Sequence, residues 1–149
     1  MDTKVNRTVV LLSIRPIYAE RLLNKTKSVE LRKTKFRKDV ECVVIYSTAP
    51  IQKIVGYFTV AQIIVDSPSV IWSKYHQMSG INRADFLNYY AGSKKAVGIE
   101  VSQIHRLQYP VPLSVLGEHV RPPQSFQYVD SSLINTLRKY VPNSYTNVA

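Results

Sequence analysis

The residue types best suited to chemistry crowd into one short stretch, Lys25-Thr26-Lys27-Ser28-Val29-Glu30-Leu31-Arg32. Glu30 and Arg32 stand two apart, so on a strand both side chains leave the same face, while Val29 and Leu31 point to a core. A carboxylate beside two cations stays ionised and holds them in place, or acts on a ligand they bind. The same residues also make an ordinary surface salt-bridge cluster at a helix–strand junction. Other groups end neighbouring elements. Ser13 and Arg15 close an apolar run, and Tyr46, Ser47 and Thr48 close another, offering a ring and two hydroxyls. Arginine forks fit phosphate bidentately and lysine acts as a point charge. Gly56, inside a third run, is expected to give a bulge or let a ligand approach the sheet.

The elements that position these groups read as follows. Val9-Val10-Leu11-Leu12-Ser13-Ile14 is a buried strand, and Pro16 suits the first position of a helix carrying Ile17, Tyr18, Arg21, Leu22 and Asn24 at helical spacing. Strand two runs from about Ser28 to Lys33, followed by a basic loop to Asp39. Strand three is Val40 to Thr48 and strand four Ile54 to Val65. Ser69–Tyr75 and a second helix capped by Asn82 and stopped by Gly92 come next. Ala96 to Leu107 is strand five. Tyr109–Leu113 and Arg121–Val129 are extended, and Asp130 or Ser131 starts a last helix to about Tyr140, before a loose tail. Five strands with early and mid-chain helices predict an α+β fold: a small, mostly antiparallel barrel with flanking helices, whose closure hides its edges. One domain over residues 1–149 is expected, with its core from about 8 to 141.

Charge narrows the partners. Twenty basic residues against ten acidic give +10 over 149 residues. From Lys25 to Lys38, Glu30 is the only acid among Lys25, Lys27, Arg32, Lys33, Lys35, Arg37 and Lys38. Such a cluster suits a polyanion, most simply nucleic acid, or serves solubility alone. The ten tyrosines add rings that can stack on unpaired bases. A membrane surface is not expected, because the basic stretch lacks an amphipathic helix and no apolar run is long enough to span. The polar start does not read as a signal peptide, and the compartment expected is cytoplasmic. Cys42 and three scattered histidines show no metal-ligand spacing, and no cofactor is expected. Trp72 reads as a core or lid anchor. Pro122-Pro123-Gln124-Ser125-Phe126 reads as a packed crossover, or as a polyproline segment that a protein partner binds.

These residues together resemble a known family. Lys25 to Arg32 resembles the Gly-x-Lys-x-x-Glu-x-Arg signature of ASCH domains, in the PUA-like barrel superfamily, with Lys25 in place of the glycine. Leu11–Pro16, Tyr18–Leu23, Tyr46–Pro50, Ile54–Phe58, Ala96–Glu100 and Pro122–Phe126 look like further segments of its bacterial members. The resemblance implies a PUA-like barrel and a cleft that binds RNA or a modified nucleotide, with Lys27, Glu30 and Arg32 as the signature residues. Some relatives are ribonucleases, and one group deacetylates N4-acetylcytidine with a Lys, a Thr and a Glu. That threonine falls at Glu30 here, so the deacetylase mechanism does not carry over whole. Other relatives flip a base into an aromatic pocket, for which Tyr46, Trp72 or Phe126 can serve. The expected function is RNA or modified-nucleotide binding through Ser13, Arg15, Lys25, Lys27, Glu30, Arg32, Tyr46, Ser47 and Thr48. The alternative is an RNA-directed hydrolase using Lys27 and Glu30 as acid and base.

Overall fold

A computed structural model describes residues 8–142; the expected loose tail lies almost wholly outside them. The order is β1 (Val9–Ile14), α1 (Pro16–Leu23), β2 (Val29–Arg32), β3 (Cys42–Ser47), β4 (Lys53–Asp66), α2 (Pro68–Tyr75), α3 (Arg83–Tyr89), β5 (Ala96–Val111), a 3-10 turn at Leu113–Leu116, β6 (Phe126–Val129) and α4 (Leu133–Arg138). The strands form one curled sheet in the order β2-β5-β4-β3-β1-β6. This is a six-stranded mixed half-barrel rather than the expected five-stranded, mostly antiparallel barrel. The extra strand is β6, whose Phe126–Val129 had read only as extended. It pairs antiparallel with β1 through Leu12↔Phe126 to Val9↔Val129. β1 and β3 run parallel, with Ser13 beside Tyr46, because the connection through α1 and β2 carries the chain back to the start of β1.

β1 is apolar along its whole length because both of its faces are covered. Val10, Leu12 and Ile14 join Ala19, Leu22 and Leu23 of α1 in one core. Val9 and Leu11 face the opposite way, toward Tyr46, Ile54, Leu107 and Leu137. A third cluster packs α2 and α3 on β2 through Ile71, Tyr75 and Phe86. Trp72 lies against Phe86 at a centroid distance of 4.8 Å, as a packing anchor. β4 and β5 are long and their pairing shifts register at three places. Such irregularities bend and twist a ladder, which curls this sheet.

Several boundaries differ from expectation. β5 runs on through Tyr109-Pro110-Val111, with Val111 pairing Ile54. Ile17 shares the helical spacing of Leu22 yet is 52% exposed, since Ala19, Leu22 and Leu23 take the buried side of α1. Gly56 sits beside a register shift in its pairing with both β3 and β5, the bulge that one reading expected, but it gives no ligand access. A Cβ there would lie 2.5 Å from the His105 carbonyl oxygen and 2.6 Å from Leu23 Cδ2, so its missing side chain lets α1 settle on the sheet. No helix among the described residues is long and apolar enough to cross a membrane.

Candidate functional site

The sheet's two edges bring the signature residues together. β2 and β6 end the strand order, yet Arg32 at the end of β2 reaches across to β1 and to the segment before β6. Its Nη1 donates to the Ser13 carbonyl at 3.2 Å and its Nη2 to Ser125 Oγ at 2.7 Å. Glu30, one turn of the pleat back, lies 3.3 Å from Arg32 Nη1 and 3.6 Å from Lys27 Nζ. Lys27 and Glu30 are only 4% and 5% exposed. The pair is therefore buried, unlike the solvated cluster that composition alone allows.

Lys27 is fixed by the turn that ends α1. Lys25 takes a left-handed φ of 69° where the signature has glycine, so the tight geometry survives the substitution. The Lys27 amide then donates to the Arg21 carbonyl at 3.0 Å. Its ammonium donates to the Ser79 carbonyl and lies 5.4 Å from the Tyr18 ring centroid. Gly80 follows with a φ of +64°, and a Cβ there would sit 2.8 Å from Lys27 Cβ. Burial holds the Lys27 ammonium below the usual lysine range. Glu30 works against that shift, while Arg21 and Arg32 add to it.

These residues line a cleft of about 440 Å³. Lys27, Glu30 and Arg32 line it together with Ser13, Arg15 and Tyr18. The far wall is α3, which offers Asp85, Asn88 and Tyr89. Their spacing of i, i+3 and i+4 puts all three on one helix face. Arg15 is exposed at the rim, and its side chain makes no bond to any described residue. Burial raises the pKa of the Tyr89 hydroxyl, with Arg32 opposing and Glu30 assisting.

Ser13, Arg15, Lys27, Glu30 and Arg32 thus converge; Lys25, Tyr46, Ser47 and Thr48 do not. Lys25 is exposed and lines a separate hollow with Gln103 and His105. Tyr46 is 4% exposed on the face opposite Ile45, among Val9, Leu11 and Ile54, so it offers no ring to this cleft. Ser47 is buried beside Pro16 and Leu107 in another hollow, and the Thr48 amide is bonded to the Ile14 carbonyl at 2.9 Å. Ser13 contributes its carbonyl; its hydroxyl donates to the Pro123 carbonyl at 2.6 Å. Phe126 packs edge-on against Phe36 at 4.7 Å in the core. The sequence reading missed Tyr18, Ser79, Gly80, Tyr89 and Ser125. Only the α3 face carried a legible signal, in the spacing of Asp85, Asn88 and Tyr89.

Comparison with known proteins places the chain. Residues 8–120 match the family described as "Domain of unknown function (DUF365)". The chain belongs to that family. The crystal structure of ASCH from Zymomonas mobilis superposes with a TM-score of 0.83 at 20% identity, covering 93% of this chain and 99% of that one. This DUF365 chain therefore has the ASCH fold. A curated relative, "ASCH domain-containing ribonuclease" of the same species, is 23% identical over 83% of this chain and 86% of its own length. Two Ureaplasma parvum proteins are closer in sequence but much longer. ATP synthase subunit alpha is 31% identical over 85% of this chain and 16% of its own length. Large ribosomal subunit protein uL22 is 30% identical over 80% of this chain and 39% of its own length. The chain thus spans well under half of either.

Proposed function

We propose that the cleft captures one nucleotide of an RNA chain, or a modified nucleotide. The observation that supports this best is the buried Lys27–Glu30 pair with the partly exposed Arg32 beside it, lining a cleft with an uncommitted arginine at its rim. Buried charge is costly, and well-packed apolar residues of similar size often serve stability as well or better. A triad kept there with a net positive charge is suited to an anion. RNA enters as the substrate class through the ribonuclease name of the Zymomonas mobilis relative. Arg15 and Arg32 would take a phosphate as forks, and Lys27 as a point charge. Glu30 would accept from a base amine, and Tyr89 replaces Tyr46 as the ring on which a base stacks.

The test is binding of a 12-nucleotide single-stranded RNA of mixed sequence across a salt series. Replacing two phosphate contacts by Lys27→Met and Arg32→Gln is expected to lower the slope of log K against log salt by about 1.4, at roughly 0.7 per contact on a single strand. Unchanged affinity and slope in the folded double variant would sink the assignment.

One observation favours a second reading, hydrolysis of the bound RNA. The depressed pKa of Lys27 brings its neutral amine, a general base, nearer to neutral pH. Glu30→Gln would then abolish product formation while RNA is retained; product formed at the wild-type rate would remove Glu30 from the chemistry.

A further inference from the structure

Directly beyond Arg32, the chain turns into a loop that the cleft itself does not use. Lys33, Lys35, Arg37 and Lys38 are all exposed there, and none forms an ion pair with any described residue. Asp39 and Glu41 follow at the loop's far end. The loop is nonetheless tied down at both sides. Lys33 Nζ sits 4.8 Å from the centroid of Tyr89, a wall of the cleft, so the loop begins at the cleft lip. Phe36 is 6% exposed and packs on Phe126, next to the serine that holds Arg32. The Tyr128 hydroxyl accepts from the Arg37 and Lys38 amides at 2.9 and 3.2 Å, and Lys38 Nζ lies 4.8 Å from its ring centroid. A groove of about 430 Å³ runs between this loop and Val60–Ile63 of β4, with Asp39 and Glu41 on its wall.

A solvated charge run would need none of these anchors. Here one buried phenylalanine and one tyrosine hydroxyl fix the backbone, so the cations are held out in a set order starting at the cleft. Preordering cuts the entropy lost when a ligand engages several side chains at once. We infer that Lys35, Arg37 and Lys38 form an arm for the phosphates flanking the captured nucleotide, so that the ligand is single-stranded RNA and not a free nucleotide. This inference rests on the RNA reading of the cleft.

The experiment compares the 12-nucleotide RNA with its trinucleotide fragments, on the wild type and three variants. The arm variant is Lys35→Gln/Arg37→Gln/Lys38→Gln. The cleft variant is Lys27→Met/Arg32→Gln. A charge-matched control, Lys53→Gln/Arg138→Gln/Lys139→Gln, changes exposed cations that line neither the cleft nor the loop groove. The arm variant should lower the 12-mer's salt slope by about 2, so that between 50 and 200 mM salt the wild type loses roughly 20-fold more affinity than the variant. Its trinucleotide affinity should change less than twofold, and the control should leave both ligands near wild type. Equal wild-type affinity for the 12-mer and the trinucleotides overturns the arm. So does a control that matches the arm variant, or an arm variant that behaves as wild type; in that last case a cleft variant that loses RNA leaves the cleft reading standing. If the arm variant alone loses the 12-mer, the cleft reading fails and the flanking role falls with it. No binding of the 12-mer to the wild type removes both.

Discussion

Removing the Glu30 carboxylate should expose how much buried Lys27 and its neighbour Arg32 depend on it. Glu30→Gln keeps the side chain's size but leaves Lys27, 4% exposed, with the Ser79 carbonyl and no anion. Two further cations, Arg21 and Arg32, then face it unopposed. Breaking a buried pair by deleting one partner costs about 3–5 kcal/mol. Arg32 is partly solvated, with its side chain 16% exposed, which favours the low end, about 3 kcal/mol. For a chain of this size that corresponds to a fall in Tm of roughly 6–12 °C. Lys27→Met should cost less, about 1 kcal/mol, because Glu30 keeps Arg32 at 3.3 Å. The double variant Lys27→Met/Glu30→Gln removes both buried charges and should cost only about 2 kcal/mol, a coupling of about 2 kcal/mol. Urea denaturation of all four proteins at neutral pH, fitted with a common slope, reads these values. Costs that add within about 0.5 kcal/mol would mean the two groups do not interact, and the account of the triad would be wrong.

Stability should also depend on alkaline pH through Lys27. Its folded pKa lies below the unfolded value of 10.5, so between those two values the unfolded chain holds more protons and stability rises with pH. The raised Tyr57, Tyr75, Tyr89 and Tyr90 pull the other way above pH 10.0, where unfolded tyrosine ionises first, so the difference between wild type and Lys27→Met should be followed below that point; a flat difference would contradict the depressed pKa. Gly56→Ala should destabilise the fold by about 1–3 kcal/mol by pushing the end of α1 off the sheet, as a urea titration reads; a stability within about 0.5 kcal/mol of wild type would contradict that contact. Gly80→Ala forces a strained φ and crowds Lys27, so melting and RNA binding should both suffer; intact binding would show that Lys27 does not depend on this turn. The exposed Glu20–Arg106 pair, at 2.7 Å, should contribute under about 1 kcal/mol, and Arg106→Gln tests this in a thermal melt.

How much could be read from the residues follows from which physics is local. The strand of β1, Pro16 at the head of α1, the Asn82 cap and the Glu30/Arg32 alternation depend on neighbours in sequence, and all appear as expected. The Asn82 side chain accepts from the Asp85 amide at 2.8 Å. Pairing is not local. Nothing in Val9–Ile14 or Cys42–Ser47 says that they lie parallel, and the four residues of β6 form a strand only because β1 offers an open edge. Facing is decided by the same non-local register. Tyr46 is opposite Ser13, so its ring shares the face of the Ser13 side chain, away from the cleft that only the Ser13 carbonyl meets. Gly56 looked like room for a ligand because a missing side chain does not say which neighbour fills the space. Ser79 and Gly80 touch Lys27 across more than fifty residues, with no periodic signal to find.

Arg32 is the clasp of an open ring. The sheet does not close by strand pairing, and the two rims of the curl are joined where one guanidinium spans from β2 to the Ser13 carbonyl and the Ser125 hydroxyl. The same guanidinium is what a phosphate in the cleft would seek. Occupancy and closure therefore draw on one set of N–H donors. A ligand that takes a donor from Ser125 slackens the join, and one that fits around the existing bonds tightens it. By reciprocity, a ligand that favours the closed join by some factor would itself bind the closed form more tightly by that same factor. Arg32 would thus serve closure and ligand at once, while the Phe36–Phe126 contact and the Tyr128 hydroxyl, which also tie the loop after β2 to β6, would serve closure alone.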